Sequence, residues 1–137
     1  MTKDYTAFLQ QGFRYIVRDI LKDVSANGLS DESHFFITFQ TDFPGVQVPA
    51  FLKEKYPTQM SIILQHQFEN LIVSDTSFCV DLAFGGIYYT LTIPFAALVQ
   101  FADPSVQFGL ALIPEKKEYA QNGQTADVID LSALRKK

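Results

Sequence analysis

The residues of this chain that could do chemistry are few and poorly matched to one another. Its two histidines, His34 and His66, fall in strand patterns with no second ligand-type residue at metal spacing. Cys79 is the single cysteine, so it closes no internal disulfide. As a nucleophile it would need a neighbouring base, and the sequence fixes no histidine beside it. Asp31-Glu32 precede a strand and read as a solvated turn rather than an acid–base pair. There is no phosphate-binding P-loop and no glycine-rich dinucleotide fingerprint, and Gly85-Gly86 is explained by a hairpin alone. The expectation is a protein without catalysis, cofactor or metal.

The elements that position these residues follow from periodicity. Residues 5–24 read as an amphipathic helix, with Leu9, Phe13, Ile16, Val17, Ile20, Leu21 and Val24 on one face. Thr2 or Asp4 can cap its start, and Asn27-Gly28 can end it. His34–Thr41, Gln59–His66 and Leu71–Ser74 read as strands, and Pro49–Tyr56 as a short helical turn closed by Pro57. Around a two-residue Gly85-Gly86 loop, Phe84 pairs with Ile87, Leu82 with Tyr89, Val80 with Leu91, and Phe78 with Ile93. Those eight side chains define the expected core face. Ala83 with Tyr88, Asp81 with Thr90 and Cys79 with Thr92 share the opposite face, which is mixed and partly wet. Pro94–Val99 allows a helical turn and Phe108–Ile113 a last strand. A helix followed by antiparallel strands indicates an α+β domain with a curled or partly closed sheet.

Composition narrows the class of function. A chain of 137 residues, 47% hydrophobic with 13 Phe and 6 Tyr, can bury a real core. No apolar run approaches the roughly 18 residues of a membrane span, the N-terminus lacks a signal-peptide layout, and the cytoplasm is the expected compartment. Residues 1–113 hold six Lys/Arg against eleven Asp/Glu, net −5, whereas residues 114–137 carry a net +1. Scattered cations on an acidic domain do not make a nucleic-acid surface, so no nucleic acid and no membrane are expected as partners.

Two motifs go further. Phe43-Pro44-Gly45-Val46-Gln47-Val48-Pro49 brackets a glycine bend with two prolines, and Phe84-Gly85-Gly86-Ile87 marks the hairpin. With Asn70-Leu71 ahead of a strand and Ile93-Pro94 followed by small and apolar residues, the chain resembles the stringent starvation protein B (SspB) family over roughly residues 5–113, plus the tail. The resemblance implies a helix followed by a partly open small β-barrel of Sm-like character. It implies an adaptor for the ClpXP protease that holds the ssrA degradation tag, an extended C-terminal peptide, in a groove on the sheet. Carried over to this chain, the groove comprises His66, Gln67 and Phe68 together with Ala83, Phe84 and Tyr88, walled by Val46, Gln47 and Val48. Core packing is an equal reading for Phe84. Better-known relatives place an arginine immediately before the Phe-Gly-Gly, where this chain has Ala83, and two valines near the end, where it has Leu134-Arg135-Lys136-Lys137.

From Pro114 to residue 126 the sequence is polar and reads as a linker. Val128, Ile129, Leu131 and Leu134, followed by Arg135 and Lys136, then form an apolar-basic segment. By resemblance this segment docks on the ClpX unfoldase; the alternative is a last strand packed on the domain. The expected organisation is a tag-binding and dimerisation domain over 1–113, a linker over 114–126 and a docking segment over 127–137. The wide, aromatic-rich helix stripe, with Phe8 and Tyr15 added to the row, favours a homodimer. An Sm-like RNA-binding module and a purely structural dimeric partner are the alternative functions.

Overall fold

Five phenylalanines, Phe35, Phe39, Phe78, Phe95 and Phe101, lose nearly all their contact with water and anchor the core. The computed structural model describes residues 4–65 and 68–115. In chain order they form α1 (Thr6–Asn27), β1 (Phe35–Gln40), α2 (Ala50–Lys55), β2 (Gln59–Leu64), β3 (Glu69–Val73), β4 (Ser77–Phe84), β5 (Ile87–Pro94), β6 (Leu98–Asp103) and β7 (Phe108–Ala111). Short 3-10 turns at Phe95–Ala97 and Pro104–Val106 flank β6. The strands make two antiparallel sheets, β2-β1-β6-β7 and β3-β4-β5, and the sheet is not closed into a barrel. The fold is α+β, with α1 packed on β3 and on the 3-10 turn after β5.

Local chemistry explains most of the elements. Asp4 Oδ1 accepts the Thr6 N–H at 2.9 Å, occupying one of the donors that a helix start leaves without an internal partner. Gly28, at φ 84°, ends the helix with its N–H on the Val24 carbonyl. Phe43-Pro44-Gly45-Val46 closes a turn through Val46 N–H to the Phe43 carbonyl, with Gly45 at φ 93°. Proline second and positive-φ glycine third is the demand of a type II turn. A Cβ on Gly45 would also sit 3.2 Å from Pro94 Cγ, so the position is short of room as well. The segment after this turn joins the sheet, since Gln47 and Thr92 exchange both backbone hydrogen bonds at 2.9 Å.

The β4–β5 register is the one expected from alternation, pair by pair from Ser77–Pro94 to Phe84–Ile87. Gly85 and Gly86 both take positive φ, 63° and 84°, as a type I′ loop requires. The core face holds for Phe78, Val80, Leu91 and Ile93, which are buried, and in part for Leu82, Phe84 and Tyr89. It fails at Ile87, which is 58% exposed, because the core ends before the loop. On α1, Val17, Leu21 and Val24 are buried and Phe13 and Ile20 pack at the margin. Leu9 and Ile16, expected on the same face, are exposed instead, because the apolar stripe is wider than the sheets beneath it.

One strand differs from the expectation. The helical turn read over Pro94–Val99 is only Phe95–Ala97, and the chain continues as β6, pairing with β1 on one side and β7 on the other. A register shift between Thr38 and Phe39 lets Leu98 and Phe101, three residues apart, both point into the core. That bulge breaks the two-residue period by which a strand is recognised.

The register generates a paired test. Leu82→Asp brings a charge to the core side of β4 and should lower the melting temperature by well over ten degrees, or abolish cooperative folding, in circular dichroism. Ala83→Asp, one residue on and exposed, should leave the melting curve within a few degrees of the parent.

Candidate peptide-binding site

The hairpin loop brings three aromatic rings together from two elements. Phe51 of α2 lies with its ring centroid 5.2 Å from that of Tyr89 and 6.4 Å from that of Phe84, and Phe84 lies 6.3 Å from Tyr89. Pro49, extended at ψ 148°, starts α2 and thereby turns Phe51 onto the hairpin. Phe51 is 45% exposed, so this cluster presents ring surface to water while Phe84 and Tyr89 support it from the core side. Around the edge of the hairpin, Ala83 and Tyr88 sit opposite each other on the outer face, both exposed, Tyr88 by 48%.

Farther down the outer face lies a fixed charge. Asn70 donates from Nδ2 to Asp81 Oδ2 at 2.7 Å, and Thr90 donates from Oγ1 to Asp81 Oδ1 at 2.6 Å. Asn70 adopts φ 56° where β3 shifts register between Glu69 and Ile72, and this irregularity aims its amide across to β4. The hydrogen bond from Asn70, then that from Thr90, hold the Asp81 carboxyl below the usual carboxylate range. Below this pair, Cys79 Sγ and Thr92 Oγ1 lie 3.3 Å apart, half-buried. Among the described residues no group of three His, Cys, Asp or Glu side chains could hold a metal ion, and no helix is long and apolar enough to cross a membrane.

The expected groove residues are distributed along this hairpin. Ala83, Phe84 and Tyr88 cluster at its loop end, and Phe68, half-buried against the core, donates its N–H to the Gln65 carbonyl. Val46 and Val48 pack against the core, leaving Gln47 exposed between them. Gln47 is level with Thr92, four residues or roughly 13 Å along β5 from Tyr88, so it flanks the lower end of the face rather than its loop end. His66, Gln67 and the tail residues Val128, Ile129, Leu131, Leu134, Arg135 and Lys136 lie outside the described residues. Sequence reasoning missed Phe51 and left Tyr89 in the core; a phenylalanine two residues past a helix-starting proline was the available signal.

The domain thus joins two small antiparallel sheets, a proline-bracketed turn stitched to a Gly-Gly hairpin and an open aromatic rim. The family model SspB, stringent starvation protein B, matches residues 8–133, and the chain belongs to that family. The family is one of non-catalytic adaptors in proteolysis. No curated protein matches the chain significantly.

The Asp81 geometry has a pH consequence. A carboxyl whose folded pKa is depressed contributes stability above its unfolded pKa, and that contribution is lost as pH falls through the folded pKa. Asp81→Asn should therefore differ most from the parent in melting temperature at about pH 7. The difference should close as acid protonates the parent's carboxyl, read by thermal melts across the acid range.

Proposed function

We propose that this chain is a cytoplasmic adaptor that binds ssrA-type degradation tags at the hairpin surface and tethers the tagged polypeptide to ClpX of the ClpXP protease. Membership of the SspB family over nearly the whole chain carries the reading. The aromatic rim of Phe51, Phe84 and Tyr89 beside the exposed Ala83–Tyr88 pair supports it, since an extended peptide needs ring and methyl surface with an open approach. The segment 114–126 serves as linker and 127–137 as the docking peptide in this reading. A weak docking contact is enough, because tethering raises the local concentration of substrate at the unfoldase.

Fluorescence anisotropy of a labelled ssrA peptide tests the binding half. The parent should bind, Ala83→Asp should weaken binding by at least tenfold with the fold intact, and absence of any binding by the parent would end the proposal. Deleting residues 127–137 should leave tag affinity and melting temperature unchanged while removing stimulated degradation by ClpXP at low substrate concentration. A marked fall in melting temperature would make the segment a core strand instead.

We further propose that the subunit pairs through α1. Tyr5, Phe8, Leu9, Tyr15 and Ile16 are all exposed, Phe8 by 71%, on the side of the helix turned away from buried Val17, Leu21 and Val24. Gly12 lies in the middle of this face with nothing within 4 Å of where a Cβ would stand. A helix-interior glycine costs about 0.5–1 kcal/mol relative to alanine, and close approach of a second helix gives it a use. Light scattering at micromolar concentration should return about twice 15.5 kDa for the parent and one subunit mass for Phe8→Glu.

A further inference from the structure

A cleft of about 680 Å³ opens where α1 passes the base of the β4–β5 hairpin. One wall is α1, which presents Arg14 and Arg18, one turn apart, to the cleft. The opposite side is formed by Ser77, Thr92 and Pro94, the lower end of the hairpin. Both guanidiniums are largely covered, with 14% and 23% of the side chain exposed. Arg14 meets Glu115 at 3.2 Å, and Arg18 lies 4.6 Å over the Tyr15 ring with its Nε on Asp19. Each guanidinium has five N–H donors. Among the described residues these are the ion pairs of the two guanidiniums, and both side chains line the cleft. Asp75 and Glu115 also line it, and Asp75 is engaged by Lys22 at 3.5 Å.

We propose that this cleft is an oxyanion subsite that takes an acidic side chain of a peptide lying along the outer face of the β4–β5 hairpin. The proposal rests on the peptide-binding reading above and adds a second anchor to it. The face is continuous, because Thr92 belongs both to the cleft and to the row that runs through Thr90 and Asp81 to Tyr88 and Ala83. Tyr88 to Thr92 is roughly 13 Å, the span of about four extended residues, so one peptide reaches both ends. Asp81 stands midway, and its carboxylate keeps an acidic residue from settling there while the paired arginines receive one beyond it. The cleft faces a different side of α1 from Phe8, Gly12 and Ile16, and Tyr15 lies at the border between the two surfaces. An entering carboxylate competes with Glu115 for Arg14. Glu115 is therefore an internal competitor rather than a ligand-binding group.

That competition gives the test two signs. Anisotropy is measured with a labelled ssrA peptide and with the same peptide carrying Asn and Gln in place of Asp and Glu. The parent should prefer the acidic form by on the order of tenfold. Arg14→Gln and Arg18→Gln should erase the preference without weakening the amide form, whereas Glu115→Gln should increase it. Because Glu115 makes a partly exposed ion pair, its loss leaves the fold nearly unchanged, and this variant decides the matter if Arg14→Gln fails to fold. Equal binding of the two peptides by the parent, or a preference insensitive to Glu115→Gln, overturns the subsite while leaving peptide binding standing. Failure of the parent to bind either peptide overturns the peptide reading itself.

Discussion

The type I′ loop at Gly85-Gly86 is the constraint on which the rest of this molecule depends. Two consecutive residues at positive φ are demanded, and glycine meets that demand without steric cost. Once the loop is two residues long, every pair from Phe84–Ile87 to Ser77–Pro94 is determined, and with it the face that each side chain occupies. A slip of β4 by one residue against β5 would turn Phe78 and Val80 to water and Asp81 to the core beside Leu91 and Ile93. The same register sets Ala83 and Tyr88 side by side outside, and sets Thr92 where Gln47 can reach it.

Helix α1 answers to three environments at once. Val17, Leu21 and Val24 seal the core, Arg14 and Arg18 line the hairpin-base cleft, and Tyr5, Phe8, Leu9 and Ile16 stand in water. The end of the described chain is fastened to the same helix and its neighbouring turn. Ile113 donates its N–H to Gln10 Oε1 at 2.7 Å, Glu115 donates its own to the Ala96 carbonyl at 3.0 Å, and its carboxylate reaches Arg14. In the adaptor reading, the helix thus joins subunit pairing, peptide contact and tail exit within one rigid element.

An adaptor has no use for catalysis, and its affinities follow from accessible apolar surface and a few placed charges. The hairpin surface has that character. Its single carboxylate is held by Asn70 and Thr90, its aromatic rim is half-open, and its lower end meets two largely covered cations.

Sequence by itself determined what depends on near neighbours. The Gly-Gly register, the proline–glycine turn at Phe43–Val46, the extent of α1 and the family all rest on φ preferences and periodicities within a dozen residues. It did not reveal β6, because a bulge against β1 destroys the alternation through which a strand announces itself. It placed Ile87 on the core face and ran Leu9 and Ile16 into one helix stripe with Val17 and Leu21, since a period reports which face a side chain takes and not how far the opposing surface extends. It passed over Phe51, whose ring meets Tyr89 from 38 positions away, and it gave no hint that Arg14 and Arg18 would stand across from Thr92. Those decisions belong to tertiary structure. Convergence of distant side chains is set by how sheets and helix pack through space, and neighbouring residues carry no record of it.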